Sequence, residues 1–101
     1  MLRCAWCMKK IGENKPCFGL SVKFRPNVDF NELGGQITSV YLTSRKTSVP
    51  LIVTAEGAEA KKSGQDGIFA ICSEKCGEKM QLAVAKELEL FTGTTDFINL
   101  T

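Results

Sequence analysis

Four of the five cysteines in this 101-residue chain stand in two tight pairs near its opposite ends. Cys4 and Cys7 lie in "CAWC", and Cys72 and Cys76 lie in "CSEKC". A sharp turn that carries two thiols fixes two soft ligands at once. Two such turns supply the four tetrahedral donors that zinc takes in a structural site. The spacing therefore predicts that both ends of the chain meet at one ion, with Cys4, Cys7, Cys72 and Cys76 as thiolate ligands. Buried thiols without a metal are the plainer alternative, but that reading leaves the tight pairing unexplained. A redox role for "CAWC" fits less well, because thioredoxin-type motifs follow a strand and open a helix, and three residues precede Cys4. The odd cysteine count also speaks against a complete disulfide framework.

The second pair sits at a predicted helix start. Ser73 occupies the N-cap position and Glu74 the first turn, the side chains that satisfy free amides and complement the dipole there. Cys76, Met80, Val84, Leu88 and Phe91 recur at helical spacing and form one apolar stripe. The reading is a helix from about Glu74 to Phe91, with Gly93 placed to end it. Helix N-terminal amides favour a thiolate at Cys76.

Elsewhere the pattern has the period of strands. In "CFGLSVKF", Phe18, Leu20, Val22 and Phe24 share one face, and Cys17, Gly19, Ser21 and Lys23 the other. This predicts a half-buried strand with Cys17 on its polar side, outside the metal set. "QITSVYL" and "SVPLIVT" read as two more strands joined by "TSRKT", with Pro50 pushing the second to an edge. "AEGAEAKK" reads as a short helix, with Thr54 as its cap candidate and Gly64 as its stop. "DGIFAIC" reads as a strand leading into the second pair. Residues 92–101 either add an edge strand or stay as a flexible tail.

The knuckle "CAWC", the strand pattern and "FAICSEKCGEKM" running into a helix resemble a treble-clef zinc finger. The second half, with an aromatic shortly before "CSEKC", is similar to MYM- and TRASH-type fingers. The resemblance covers about the first 24 and the last 35 residues. It implies a small α+β domain with antiparallel strands, one long C-terminal helix and a structural metal on the same four cysteines. Met8 departs from it, standing where such knuckles often carry glycine. Residues 25–65 form a strand-rich insertion about which the resemblance says nothing. The expected organisation is one zinc-binding domain over residues 1–101.

The composition is that of a globular chain, with 44% hydrophobic and 24% charged residues, which excludes disorder. "MLRCAWC" lacks the apolar stretch of a signal peptide, and no apolar run reaches membrane-spanning length. The expectation is a cytoplasmic protein away from membranes. Residues 1–25 hold six basic side chains against Glu13, a net +5, and the remainder carries −3. Four thiolates and one divalent ion would bring the whole close to neutral, which weakens a general nucleic-acid reading. Lys9 and Lys10 flank the knuckle, and Arg45 and Lys46 occupy the predicted hairpin tip with Tyr41 nearby. All five read as candidate nucleic-acid or partner contacts, with solvated charge as the plainer assignment. Trp6 reads either as a partner anchor or as a shield over the sulfurs. The chain has no histidine, so the usual general base is missing, and four cysteines leave no open coordination position for water. The sequence points to a non-enzymatic interaction module that binds another protein. Nucleic-acid binding and metal sensing or trafficking are the alternatives.

Overall fold

A computed structural model describes residues 2–12, 14–25, 34–55, 57, 59 and 64–99. The chain opens with a short antiparallel pair, β1 (Leu2–Arg3) and β2 (Lys10–Ile11), which frames the first cysteine turn. Five longer strands follow: β3 (Phe18–Phe24), β4 (Ile37–Leu42), β5 (Thr47–Val53), β6 (Gly67–Ile71) and β7 (Phe91–Asn99). They form one antiparallel sheet in the order β4-β5-β6-β3-β7. A helix, α1 (Glu74–Lys86), lies between β6 and β7 in sequence and packs on β7 and β3. The architecture is α+β. No helix among the described residues is long and apolar enough to cross a membrane.

The core sits between α1 and one face of the sheet. Leu20 stands opposite Phe69, and Val22 opposite Gly67. Phe69 meets Phe91 edge-on at 5.9 Å between ring centres. Met80 and Val84 of α1 are buried here, as the apolar stripe requires. Fully burying a side chain of this size stabilises by roughly 1.5–3 kcal/mol, so this face supplies much of the cohesion. Gly77 lets the helix approach closely: a Cβ there would run into the ring of Phe97. Phe97 in turn stacks on Phe18 at 5.3 Å.

The helix is shorter than its periodicity predicts. It stops at Lys86, and Glu87 is its C-cap. The apolar stripe misleads because Leu88 is 63% exposed, whereas Phe91 is buried from the start of β7. The cause is tertiary. Arg25 captures the carbonyl of Leu88 with its side chain and that of Leu90 with its backbone N–H. The Glu87 carboxylate meanwhile accepts hydrogen bonds from the Thr43 hydroxyl and from the Ser44 amide and hydroxyl at 2.9–3.0 Å. Gly93 consequently does not end the helix. It lies inside β7 at φ +153, next to a register shift against β3. The helix is followed by an edge strand, so it is not the C-terminal element.

Two strand expectations also change. β3 is buried on both faces over Gly19–Val22, including Ser21, whose hydroxyl donates to Gln65 at 3.0 Å. The alternation of residue types is real, but the polar face is covered as well. β5 is not an edge strand, since it lies second in the sheet. Pro50 is tolerated because β6 pairs only with Ile52 and Val53. The Val53 amide points toward the β4 side, donating to Gln36, and strand alternation then turns the nitrogen of Pro50 away from β4. The "TSRKT" hairpin itself forms as predicted, with Val40 opposite Val49 and Leu42 opposite Thr47. The helix expected in "AEGAEAKK" lies largely outside the described residues. The hydroxyl of Thr54, its cap candidate, donates instead to the carbonyls of Gln65 and Asp66.

Candidate metal centre

The first pair is shaped by a backbone turn between β1 and β2. The Met8 amide donates to the Cys4 carbonyl at 2.9 Å, and the Cys4 amide donates to the Lys9 carbonyl at 3.0 Å. Closing this turn puts Met8 at φ +64, the left-handed conformation that glycine adopts without penalty. The unusual residue at the expected glycine position thus takes up the glycine geometry. The turn is fastened to the sheet from two sides. The Ala5 amide donates to the Ala70 carbonyl of β6 at 2.8 Å. The Ala5 carbonyl accepts from Arg45 of the β4–β5 tip at 3.3 Å. Cys4 and Ala5 are completely buried as a result.

The second pair is shaped by a strand end and a helix start. Cys72 follows β6 directly. The Ser73 hydroxyl accepts from the Cys76 amide at 3.2 Å, and the Gly77 amide donates to the Ser73 carbonyl. That cap sets Cys76 in the first turn, aimed back toward Cys72, as the sequence predicts.

The four sulfurs come together. Those of Cys4, Cys7, Cys72 and Cys76 all lie within 4.8 Å of one another. Cys7 and Cys72 are 3.5 Å apart, and Cys72 and Cys76 are 3.7 Å apart. Thiolates at about 2.3 Å from a tetrahedral ion are separated by about 3.8 Å from each other. The spacing therefore fits four ligands around one metal ion. No disulfide links them, and all five cysteines are free. Cys17 stays outside this set; its thiol points toward its neighbour's carbonyl, Phe18, at 3.9 Å.

Electrostatics divide the cluster. Burial works to raise the pKa of Cys4, but the backbone N–H groups of Cys7, Cys72 and Trp6, together with the Cys72 thiol, outweigh it and bring it down to about 7. Burial, then crowding by the thiols of Cys7, Cys4 and Cys76, pushes Cys72 up to about 12. The surroundings thus favour charge on Cys4 and oppose it on Cys72. A divalent cation removes this conflict, because each ligand must be a thiolate to bind it. Burial and the neighbouring Cys4 raise the pKa of Cys17, keeping it a thiol.

Compared with models of protein families, with curated proteins and with solved structures, the chain matches none. The site therefore rests on its own geometry.

The other sequence-predicted residues separate. Arg45 is drawn onto the knuckle, its guanidinium 3.8 Å from the centre of the Trp6 ring, in addition to its bond to Ala5. Lys9, Lys10 and Lys46 are exposed, as is Tyr41. Sequence reasoning missed two features. One is Glu87, which fastens the end of α1 to the hairpin tip; nothing in a lone glutamate within a helical pattern marks it. The other is the alternation of Lys75, Lys79, Leu82 and Lys86 along α1. Its steps of four, three and four place them on one helix face, and that signal was present in the sequence.

Proposed function

We propose that the protein is a treble-clef-type zinc domain that serves as a non-enzymatic interaction module in the cytoplasm, with another protein as its partner. The convergence of four thiol sulfurs from two distant turns carries this reading. An all-sulfur tetrahedral donor set suits zinc or iron, and zinc suits a site whose task is to hold two chain segments together without redox change. Four protein ligands close the coordination sphere, so the ion's role is to build a surface. Support for the treble-clef assignment comes from the arrangement: one pair on a hairpin turn, the other where a strand passes into a helix.

The test is metal analysis of the purified chain with zinc and iron counted separately. One zinc per chain, with loss of fold on chelation, supports the proposal. A stoichiometric iron–thiolate chromophore or a metal-free folded chain sinks it. Metal sensing or trafficking remains the second reading, favoured by the partial exposure of Cys7, Cys72 and Cys76. Zinc that exchanges within seconds against a weak chelator, with the fold intact, would promote that reading.

A further inference from the structure

Knuckle, hairpin tip and helix enclose a cleft of about 210 Å³. Trp6 forms one wall, Ser44 and Arg45 a second, and Lys79, Leu82 and Lys86 of α1 the third. We infer that this cleft docks an acidic segment of a partner protein, with one apolar side chain inserted between Trp6 and Leu82 and flanking carboxylates on Arg45, Lys79 and Lys86. This rests on the interaction-module reading above and says which surface does the work.

Size argues for a side chain. Small-molecule sites occupy roughly 300–1,000 Å³, and this cleft is smaller, suited to a single inserted residue. Charge argues for acid. The lining holds three cations and no carboxylate. Lys75 extends the same face of α1 by one turn, so a longer acidic segment has a further cation to meet. The apolar anchor is already exposed: Leu82 is 67% accessible and stands between Lys79 and Lys86 on the wall of the cleft. Arg45 argues against a nucleic-acid occupant. Its guanidinium lies over the Trp6 ring and covers a face on which a base would otherwise stack. The same contact makes the cleft depend on the metal centre, because Trp6 stands between two of the cysteines that would hold the ion. Without the ion the wall formed by Trp6 has no fixed position.

The experiment uses the zinc-loaded full chain, labelled with ¹⁵N. The probe is a capped ten-residue peptide of Asp and Glu with one central Leu. Two control peptides replace that Leu by Ser, or all the acids by their amides; a twelve-nucleotide oligo-dT is the third control. The expected result is saturable shifts at the Trp6 indole N–H and at the amides of Ser44 and Leu82. Affinity should fall at least tenfold for the amide peptide and at least fivefold for the Ser peptide. Leu82→Ser and the Lys79→Ala/Lys86→Ala pair alter exposed side chains only. Each should keep its zinc and its melting temperature while losing at least fivefold in affinity. Oligo-dT binding more tightly than the peptide through these residues overturns the inference, as does an acidic peptide that shifts none of them. A parallel selection from a random displayed library separates the two levels. A binder that maps elsewhere, for example to Ile37 and Tyr41 on β4, leaves the interaction module standing without this cleft. If no binder emerges at all, both proposals fall.

Discussion

The two cysteine turns reach the same geometry by opposite means. The Cys72/Cys76 turn is made by its own neighbourhood: a strand ends, Ser73 caps, and the helix presents Cys76. Its supports are the sheet, the helix and the Phe97 ring against Gly77, none of which involves the ion. The Cys4/Cys7 turn has a two-residue pair of strands on either side, a left-handed methionine, and single hydrogen bonds to β6 and to the hairpin tip. Its supports are fewer and more scattered, and a bound metal ion would add to them. On the proposed reading, one half of the site is prepared by folding and the other half is completed by binding.

Metal removal should break this comparison most visibly. Structural zinc contributes on the order of 10–16 kcal/mol in small finger peptides at neutral pH, against a net stability of about 5–15 kcal/mol for a whole domain. Chelation should abolish amide-exchange protection across Cys4–Ile11 first, while Met80–Val84 keeps partial protection. Cys4→Ser and Cys72→Ser should both lose the metal, and Cys17→Ser should retain it in full. Equal loss of protection in both halves would show that the helix start is no better prepared than the knuckle.

Gly77→Ala attacks the prepared half. Its added methyl meets the Phe97 ring, and overpacking of this kind costs about 1–3 kcal/mol. Thermal unfolding should register a loss near the top of that range, with one metal still bound per chain. An unchanged melting temperature would mean that the Phe97 contact does not brace the helix start.

Glu87→Gln attacks a distant brace of the knuckle, because Glu87 holds the hairpin tip that carries Arg45 to Trp6. Losing a buried, charge-assisted set of bonds should cost about 2 kcal/mol. Burial tends to raise the pKa of Glu87, but hydrogen bonds from Ser44 and Thr43 outweigh it and hold the carboxyl below the ordinary glutamate value. A depressed folded pKa means the contribution is present above the unfolded value, about 4.3, and is lost as pH falls through the folded one. Denaturant midpoints of the two proteins should therefore differ at pH 7 and converge in acid. A constant difference across that range would assign the effect to packing alone.

Met8→Gly carries the smallest expected change. The left-handed conformation costs a non-glycine residue roughly 1–2 kcal/mol, and the greater freedom of glycine in the unfolded chain returns about 0.4–1 kcal/mol of that. A net stabilisation of between zero and about 1.6 kcal/mol is expected, seen as slower exchange in the knuckle. A destabilised variant would show that the side chain of Met8 does more than occupy the turn.

The same contrast explains what the sequence revealed. The cysteine pairs, the Ser73 cap and the "TSRKT" hairpin are set by neighbours in the chain, and spacing alone discloses them. The end of α1 is set by Arg25 and by the hairpin tip, which lie far away in sequence. Leu88 and Phe91 continue the helical rhythm by coincidence, so periodicity extended the helix past its stop. Burial of the second face of β3 escaped for a related reason. Gly19 and Ser21 are small, and nothing in their type tells whether water or Gln65 lies over them. The cleft draws on three elements far apart in the chain, and no spacing in the sequence shows that Trp6, Arg45 and the lysine ridge of α1 meet.

The bond between the Ala5 amide and the Ala70 carbonyl has a consequence for the fate of the metal-free chain. β5 pairs with β6 only at Ile52 and Val53, and the rest of that edge is closed by the knuckle. If the knuckle leaves, "FAI" at positions 69–71 presents an uncharged, strongly β-forming edge with an open carbonyl at Ala70. Edges of this kind recruit strands from other molecules. Loss of a bound metal would then show itself less as gentle unfolding than as self-association into insoluble material, with the ion acting as the stopper that keeps one chain from templating the next.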